Sequence, residues 1–259
     1  MKKLNMVKGI LQKGNIVALT GAAISVQYDI PTFKGISSVL RRGDPVCHTN
    51  PLGFGYTRLT NPHKTIDYII HFFDVMLNSE PNAGHFTLSK LEEQGLLISI
   101  ITQNIEGLHQ KAGNNRVVEL YGNMFEFLCL QCNKIIKLSK EEILQLVVDL
   151  KKNRKNSDIL DKHFLLECKC SGRIKPNIVL FGEPFDQNKL NLTRELIKQS
   201  DTFLVIGTSG IVYPAASLPW YAKKIGKTLI EVNPEITAFS AIADYFIMGK
   251  ASDVLPSLL

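Results

Sequence analysis

The chain has 259 residues, 45% of them hydrophobic and 21% charged, with a net charge of +6. That balance suits a folded protein with a substantial core and excludes a disordered or fibrous chain. No run approaches 18 apolar residues, and Met1-Lys2-Lys3-Leu4-Asn5 is not followed by the apolar stretch of a signal peptide, so a soluble cytoplasmic protein away from membranes is expected. The densest basic run, Lys151-Lys152-Asn153-Arg154-Lys155, has no interleaved aromatics. It reads as a solvated helix end, and no direct nucleic-acid binding is expected.

Residues 2–13 have the pattern of a short amphipathic helix, and Asn15-Ile16-Val17-Ala18-Leu19 that of a buried strand. The strand runs into Thr20-Gly21-Ala22-Ala23-Ile24-Ser25, where small residues open a helix. This is the shape of a dinucleotide-binding turn, in which backbone N–H groups and a helix dipole meet a pyrophosphate; a plain tight turn has the same pattern. Residues 31–62 are rich in proline and glycine, with Phe33, Phe54 and Tyr56 among them. They are too many for a simple connection and read as a functional loop or part of a second module. Residues 63–78 are helical with an apolar face (Ile66, Ile69, Ile70, Phe73, Met76, Leu77), and another helix follows Pro81-Asn82-Ala83-Gly84-His85 to a stop at Gly95. His85, near its start, is expected to be structural.

The apolar run Leu96 to Ile101 ends abruptly in Thr102-Gln103-Asn104, as a buried parallel strand does when it delivers polar side chains to its carboxyl end. In an open α/β sheet that edge is where ligands sit. A short helix (107–111) and a turn lead to a second strand, Val117 to Leu120, which ends at Tyr121-Gly122. The two strand ends would aim Gln103, Asn104, Glu106 and Tyr121 at one crevice.

Four of the five cysteines form two close pairs, Cys129-x2-Cys132 and Cys168-x-Cys170, with 35 residues between them. Two chelating thiolate pairs match a closed structural zinc site that steadies a module with little core of its own. The helical stretch 139–152 lies between the pairs, and Cys47 stands apart as an ordinary thiol. Strand-like runs then recur at 177–181, 202–206, 228–232 and 244–248, each closed by a small or polar residue. Together with the earlier three they make seven strands, and the alternation with helices predicts an α/β, doubly wound parallel sheet.

Taken together these motifs resemble the sirtuin (Sir2) family of NAD-dependent protein deacylases over almost the whole chain. The resemblance is carried in order by GAAIS, IPTFKG, PNAGH, TQNIEGLHQKAG, VVELYGN, the cysteine pairs, KPNIVLFGE, GTSGIVYPAA and VNPE. It implies a Rossmann-like NAD-binding domain from residues 1–35, 83–125 and 174–259, and a small helical and zinc-bearing domain from 36–82 and 126–173. By motif match, Gly21, Ala22, Ala23, Phe33, Lys34, Gln103, Asn104, Ile105, Glu106, Gly207, Thr208, Ser209, Asn233 and Ala251 would contact NAD. An acylated lysine protein or peptide would add as a strand along Val179, Phe181, Gly182 and Glu183. In the family reaction nicotinamide leaves as the acyl oxygen takes its place, and a histidine then deprotonates a ribose hydroxyl. The products are free lysine and O-acyl-ADP-ribose.

This chain departs from the family at that histidine, which is Tyr121. A phenol with an ordinary pKa of about 10 is only about 0.1% ionised at neutral pH. Ala23, Thr32, Lys34 and Glu106 replace the family's glycine, aspartate, arginine and aspartate. The resemblance therefore implies a deacylase slowed at position 121. The alternatives are a mono-ADP-ribosyltransferase or NAD hydrolase, and a silent NAD- or acyl-lysine-binding protein. Ile69 and Phe72 stand where family members that favour acidic acyl groups carry tyrosine and arginine, so they are either an apolar acyl pocket or plain core.

Overall fold

The computed structural model describes residues 2–28, 60–154, 168–180 and 182–259. They fall into two compact units. One comprises the chain up to Gln27, Glu80–Leu120 and Asp186–Leu259; the other comprises Tyr28–Ser79 and Tyr121–Phe185. The sequence-based boundaries at 125/126 and 173/174 lie elsewhere because residues 122–129 and 174–178 hydrogen-bond to one another as strands and so travel together.

The first unit begins with α1 (Lys2–Leu11) and β1 (Ile16–Thr20), followed by a 3-10 segment, Ala22–Tyr28. In the second unit α2 (Pro62–Asn78) follows, and the chain returns to the first with α3 (Ala83–Glu93), β2 (Leu97–Thr102), α4 (Leu108–Lys111) and β3 (Val117–Glu119). The second unit resumes with β4 (Gly122–Cys129), β5 (Ile135–Lys137), α5 (Lys140–Lys152) and β6 (Ile174–Ile178). The first is completed by α6 (Gln187–Gln199), β7 (Thr202–Ile206), α7 (Ser217–Lys224), β8 (Thr228–Asn233), β9 (Tyr245–Met248) and α8 (Ala251–Ser257).

Six of these strands form one parallel sheet in the order β3-β2-β1-β7-β8-β9. β1 and β7, IVALT and TFLVI, are buried at every position, as strands covered on both faces must be. Val7, Leu11, Leu88, Leu91, Leu255 and Leu258 close one face over Ile16, Ala18, Ile100, Leu204, Ile230 and Val232. The strand order reverses between β1 and β7, the switch point at which an open α/β sheet leaves a crevice beyond its carboxyl ends. The expected seventh strand, 177–181, is not in this sheet. Asn177 and Ile178 belong to β6, which pairs antiparallel with β4 in the separate sheet β5-β4-β6. Pro176 within it faces Phe127 at an irregularity of that pairing. A proline's missing N–H suits such an edge and would break a central parallel strand.

In the second unit α2 starts at an Asn61 cap with Pro62 in its first turn, and α5 starts at a Ser139–Glu142 capping box. The two helices pack together and are laced by Lys151–Asp74 and Arg154–Asp67 ion pairs. Among the described residues no helix is long and apolar enough to cross a membrane.

One buried carboxylate ties the return from α4 to β3. Glu92, near the end of α3, accepts from Asn114 Nδ2 (2.7 Å), Asn115 N (3.0 Å) and Arg116 N (3.1 Å). Burial alone would raise its pKa, but these bonds and the Arg116 charge outweigh it and hold the carboxyl below its ordinary value of 4.5. Its contribution to stability is therefore complete above that pH and fades as the pH falls below it. Glu92→Gln, whose carbonyl can keep the Asn115 and Arg116 amides only by turning its NH2 toward Asn114 Nδ2, is expected to cost about 1–3 kcal/mol in urea melts at pH 7. It should also flatten the loss of stability between pH 5 and pH 3.

Candidate functional site

Where β1 ends, Gly21 is pressed against the loop that leaves β7. A Cβ on Gly21 would lie 2.8 Å from Gly207 O and 2.8 Å from Thr208 Cβ, and one on Gly207 only 2.6 Å from Ile24 N. Gly207 also has φ +61°, a left-handed conformation that favours glycine. The turns are joined by Ala23 N donating to Gly207 O at 2.9 Å, while Gly21 N donates to Ile206 O at 3.0 Å. Two small-residue turns thus lie backbone to backbone at the switch point, at the head of the 3-10 segment.

The loop after β2 enters beside them. Gln103 donates through Nε2 to Thr208 Oγ1 at 2.7 Å. Asn104 donates through Nδ2 to Glu106 Oε1 (2.8 Å), with longer contacts to Gly21 O (3.4 Å) and Ser25 Oγ (3.5 Å). Ser25 itself donates to Glu106 Oε1 at 2.9 Å. Asn104 is half-buried and Ile105 likewise, whereas Glu106 is buried. Burial pushes the Glu106 carboxyl up from its ordinary pKa, against the hydrogen bonds from Ser25, Asn104 and neighbouring backbone. The glutamate that stands for the family's aspartate is thus a fixed acceptor that holds the Asn104 carboxamide and the Ser25 hydroxyl.

Behind this group lie two buried imidazoles whose ring centroids are 4.9 Å apart, His85 and His109. His85 completes a capping box with Asn82 at the start of α3, the structural role expected of it, and its Nε2 lies 3.4 Å from Ser25 Oγ. Burial lowers its pKa to about 4 and, with the nearby His85, holds His109 well below its ordinary value. Ser25, Thr20 and Thr102 are members of this network to which the sequence reading gave no role in the site. The polar ends of two otherwise apolar strands, Thr20 and Thr102, were the available signal.

On the far side of the switch point Asn233, at the end of β8, donates to Thr208 O at 2.8 Å and is buried. Ser209 and Ala22 are half-buried, and Ala251 is buried in the first turn of α8, where a Cβ on Gly84 would meet its carbonyl at 3.3 Å. Thr32, Phe33, Lys34, Cys47 and Phe181 lie outside the described residues.

Tyr121 opens the second unit. It is buried, its ring stands edge-on to Phe185 at 5.9 Å, and its carbonyl accepts from Val179 N at 2.9 Å. Gly122 follows at φ +84°, where a Cβ would fall 1.8 Å from Asn177 O. Along the expected peptide-binding segment Glu183 takes both oxygens to Lys175 Nζ (2.7 and 2.8 Å) and caps Leu180 N at 2.9 Å, with Gly182 at φ +86°. Ile69 and Phe72 are buried on the apolar face of α2 with Ile66, Phe73 and Met76.

The four paired cysteines come together, their sulfurs all within 4.8 Å of one another. Cys129 and Cys170 are 3.5 Å apart and Cys132 and Cys168 are 3.6 Å apart. Four sulfurs at the corners of a zinc tetrahedron stand about 3.8 Å apart, so the set fits the metal. The turn after the tight second pair is made by Ser171 at φ +60° and by Gly172, where a Cβ would sit 2.7 Å from Cys129 Sγ.

A family model described as the Sir2 family matches residues 21–214. The chain belongs to the Sir2 family. This Sir2 protein is 36% identical over 246 residues to an NAD-dependent protein deacylase of Pyrococcus abyssi, covering 95% of this chain and 92% of the relative. It superposes with a TM-score of 0.78 on a Sir2 homolog–NAD complex, at 32% identity over 98% of this chain and 91% of the other. A Sir2 protein bound to a myristoylated histone peptide matches with a TM-score of 0.69, at 32% identity over 99% and 94% of the two chains.

Elemental analysis of the purified protein is expected to give one zinc per chain. Cys129→Ser and Gly172→Val should each release the metal and leave the second unit sensitive to proteolysis; full retention of zinc by either variant would refute the site.

Proposed function

We propose that this Sir2 protein is an NAD-dependent protein-lysine deacylase, with NAD taken at the carboxyl edge of the parallel sheet and an acylated lysine peptide as the second substrate. The observation that carries this is the Asn104 carboxamide, held by Glu106 and Ser25 beside two glycine turns too close for side chains. Such a turn at the head of a helical segment favours a pyrophosphate. The name of the Pyrococcus relative and the NAD and peptide complexes of the Sir2 neighbours support the same reading.

When bound, NAD supplies the ribose that receives the acyl group as nicotinamide departs. In this reading Gly21, Ala22, Ala23, Gly207, Thr208 and Ser209 cradle its phosphates, and Asn233 and Ala251 border the adenosine half. Gln103, Asn104, Ile105 and Glu106 border the nicotinamide ribose, and the resemblance adds Phe33 and Lys34 to the residues that would contact NAD. Asn104 orients the reacting end. The peptide runs along Val179, Phe181, Gly182 and Glu183, and the Lys175 ion pair keeps Glu183 from turning into its path.

Tyr121 takes the place of the base that deprotonates a ribose hydroxyl. Losing a general base costs roughly 10²–10⁴-fold, so the second chemical stage is the slow one.

Incubation with NAD and acetyl- or myristoyl-lysine peptide, read by mass spectrometry, is expected to yield O-acyl-ADP-ribose and free lysine. Free ADP-ribose, or a protein heavier by one ADP-ribose, would instead establish hydrolase or transferase chemistry; NAD bound but unchanged would establish a silent binder. Tyr121→His is expected to raise the deacylation rate at least about tenfold, and an unchanged rate would sink the assignment of residue 121 to that step.

A further inference from the structure

We propose that His109 is a positioning residue for Asn104, acting through Thr20 and Thr102. The inference deepens the reading above and rests on it, since it assumes that Asn104 faces NAD. Its basis is a chain of hydrogen bonds that runs from His109 to the Asn104 main chain. Asn104 N donates to Thr102 Oγ1 at 3.1 Å, and Thr20 Oγ1 donates to the same oxygen at 2.9 Å. A hydroxyl has one proton, and Thr20 has given its own to Thr102. The 2.9 Å contact between Thr20 Oγ1 and His109 Nε2 therefore runs the other way, with His109 Nε2–H as donor.

That assignment leaves His109 Nδ1 as a bare acceptor. It is buried and has no partner among the described residues, and His109 is only 3% exposed. For packing alone, an imidazole with an orphaned nitrogen is a poor choice against leucine of similar volume. What the imidazole supplies and leucine cannot is the Nε2–H that fills the remaining acceptor of Thr20. The last member of this buried chain is the backbone amide that sets where the Asn104 side chain begins.

His85 serves the same residue from the other side. Its Nδ1 accepts from Asn82 N at 3.3 Å, which leaves Nε2–H toward Ser25 Oγ at 3.4 Å. Ser25 in turn passes its proton to Glu106 Oε1, the atom that receives the Asn104 carboxamide. One imidazole thus supports the Asn104 main chain and the other its side chain. Both chains have three links, but the first touches none of the residues expected to meet the ligand except Asn104 itself.

The test compares His109→Leu, His109→Gln, Thr20→Val and the double variant His109→Leu/Thr20→Val in the full-length zinc-loaded protein. NAD affinity is read by calorimetry, the Michaelis constants for NAD and acetyl-peptide by mass spectrometry, and Tm by scanning calorimetry. His109→Leu is expected to weaken NAD binding on the order of tenfold, the worth of one buried hydrogen bond, with the peptide constant unchanged within about twofold. Its Tm should move by less than about 4 °C, because the substitution also removes the orphaned nitrogen. His109→Gln, whose amide nitrogen can occupy the Nε2 position, should return NAD affinity to within about threefold of the parent. Thr20→Val should match His109→Leu, and the double variant should be no weaker than either, as two links of one chain require.

NAD affinity within about twofold of the parent in both His109→Leu and Thr20→Val would overturn the proposal, as would a His109→Gln variant as weak as the leucine. Should His109→Leu fail to fold, Thr20→Val, which is isosteric and cuts the same bond, decides the matter alone. A parent protein that binds no NAD would overturn the functional reading and this inference with it, whereas normal binding untouched by the substitutions overturns the inference only.

Discussion

Ala23 N donates to Gly207 O across 2.9 Å, and this contact between two turns is the constraint on which the candidate site depends. It requires Gly21 and Gly207 to be without side chains, because a Cβ on either would meet main-chain atoms of the opposite turn at 2.6–2.8 Å. With the turns clasped, Thr208 is placed to receive Gln103 and Asn233, so the loops after β2, β7 and β8 close on a common point. Ala23, where the resemblance calls for glycine, keeps the clasp through its backbone N–H.

Much of this arrangement was legible in the sequence because it follows from period and punctuation. Five-residue apolar runs ended by Gly21, Gly207 or Asn233 read correctly as buried parallel strands delivering polar or small residues to one edge. The two cysteine pairs announced a metal cluster that the folded chain assembles. Residues 177–181 were misread, since an apolar run of five does not say whether its partner is parallel or antiparallel. Pro176 just before it was the available warning. The support behind Asn104 was also not legible. Thr20, Thr102 and His109 are far apart in sequence, and only register brings the first two level, at Thr20 opposite Thr102.

The second unit uses a different economy. Among the described residues its sheet has three strands and its two helices bury one apolar stripe each, and the sulfur cluster adds a cross-link to that core. Gly122 sits at the seam where the chain enters this sheet, with Asn177 O occupying the space any side chain would need. Position 121 is consequently anchored on both sides of the peptide bond, by Val179 N on its carbonyl and by the Gly122 turn after it. A substitution there changes the group presented without changing where its backbone stands.

The order of the parallel sheet also sets a timetable for synthesis. β1 leaves the ribosome well before its neighbours β2 and β7, which begin at Leu97 and Thr202. Through most of translation it is therefore an apolar ribbon with at least one open edge, and the clasp at Gly21 cannot form until residue 207 has emerged. Pairings so distant along the chain are slow to find one another and leave sticky edges in the interval. The nascent chain thus has most need of a chaperone at β1, and that need ends only when β7 arrives.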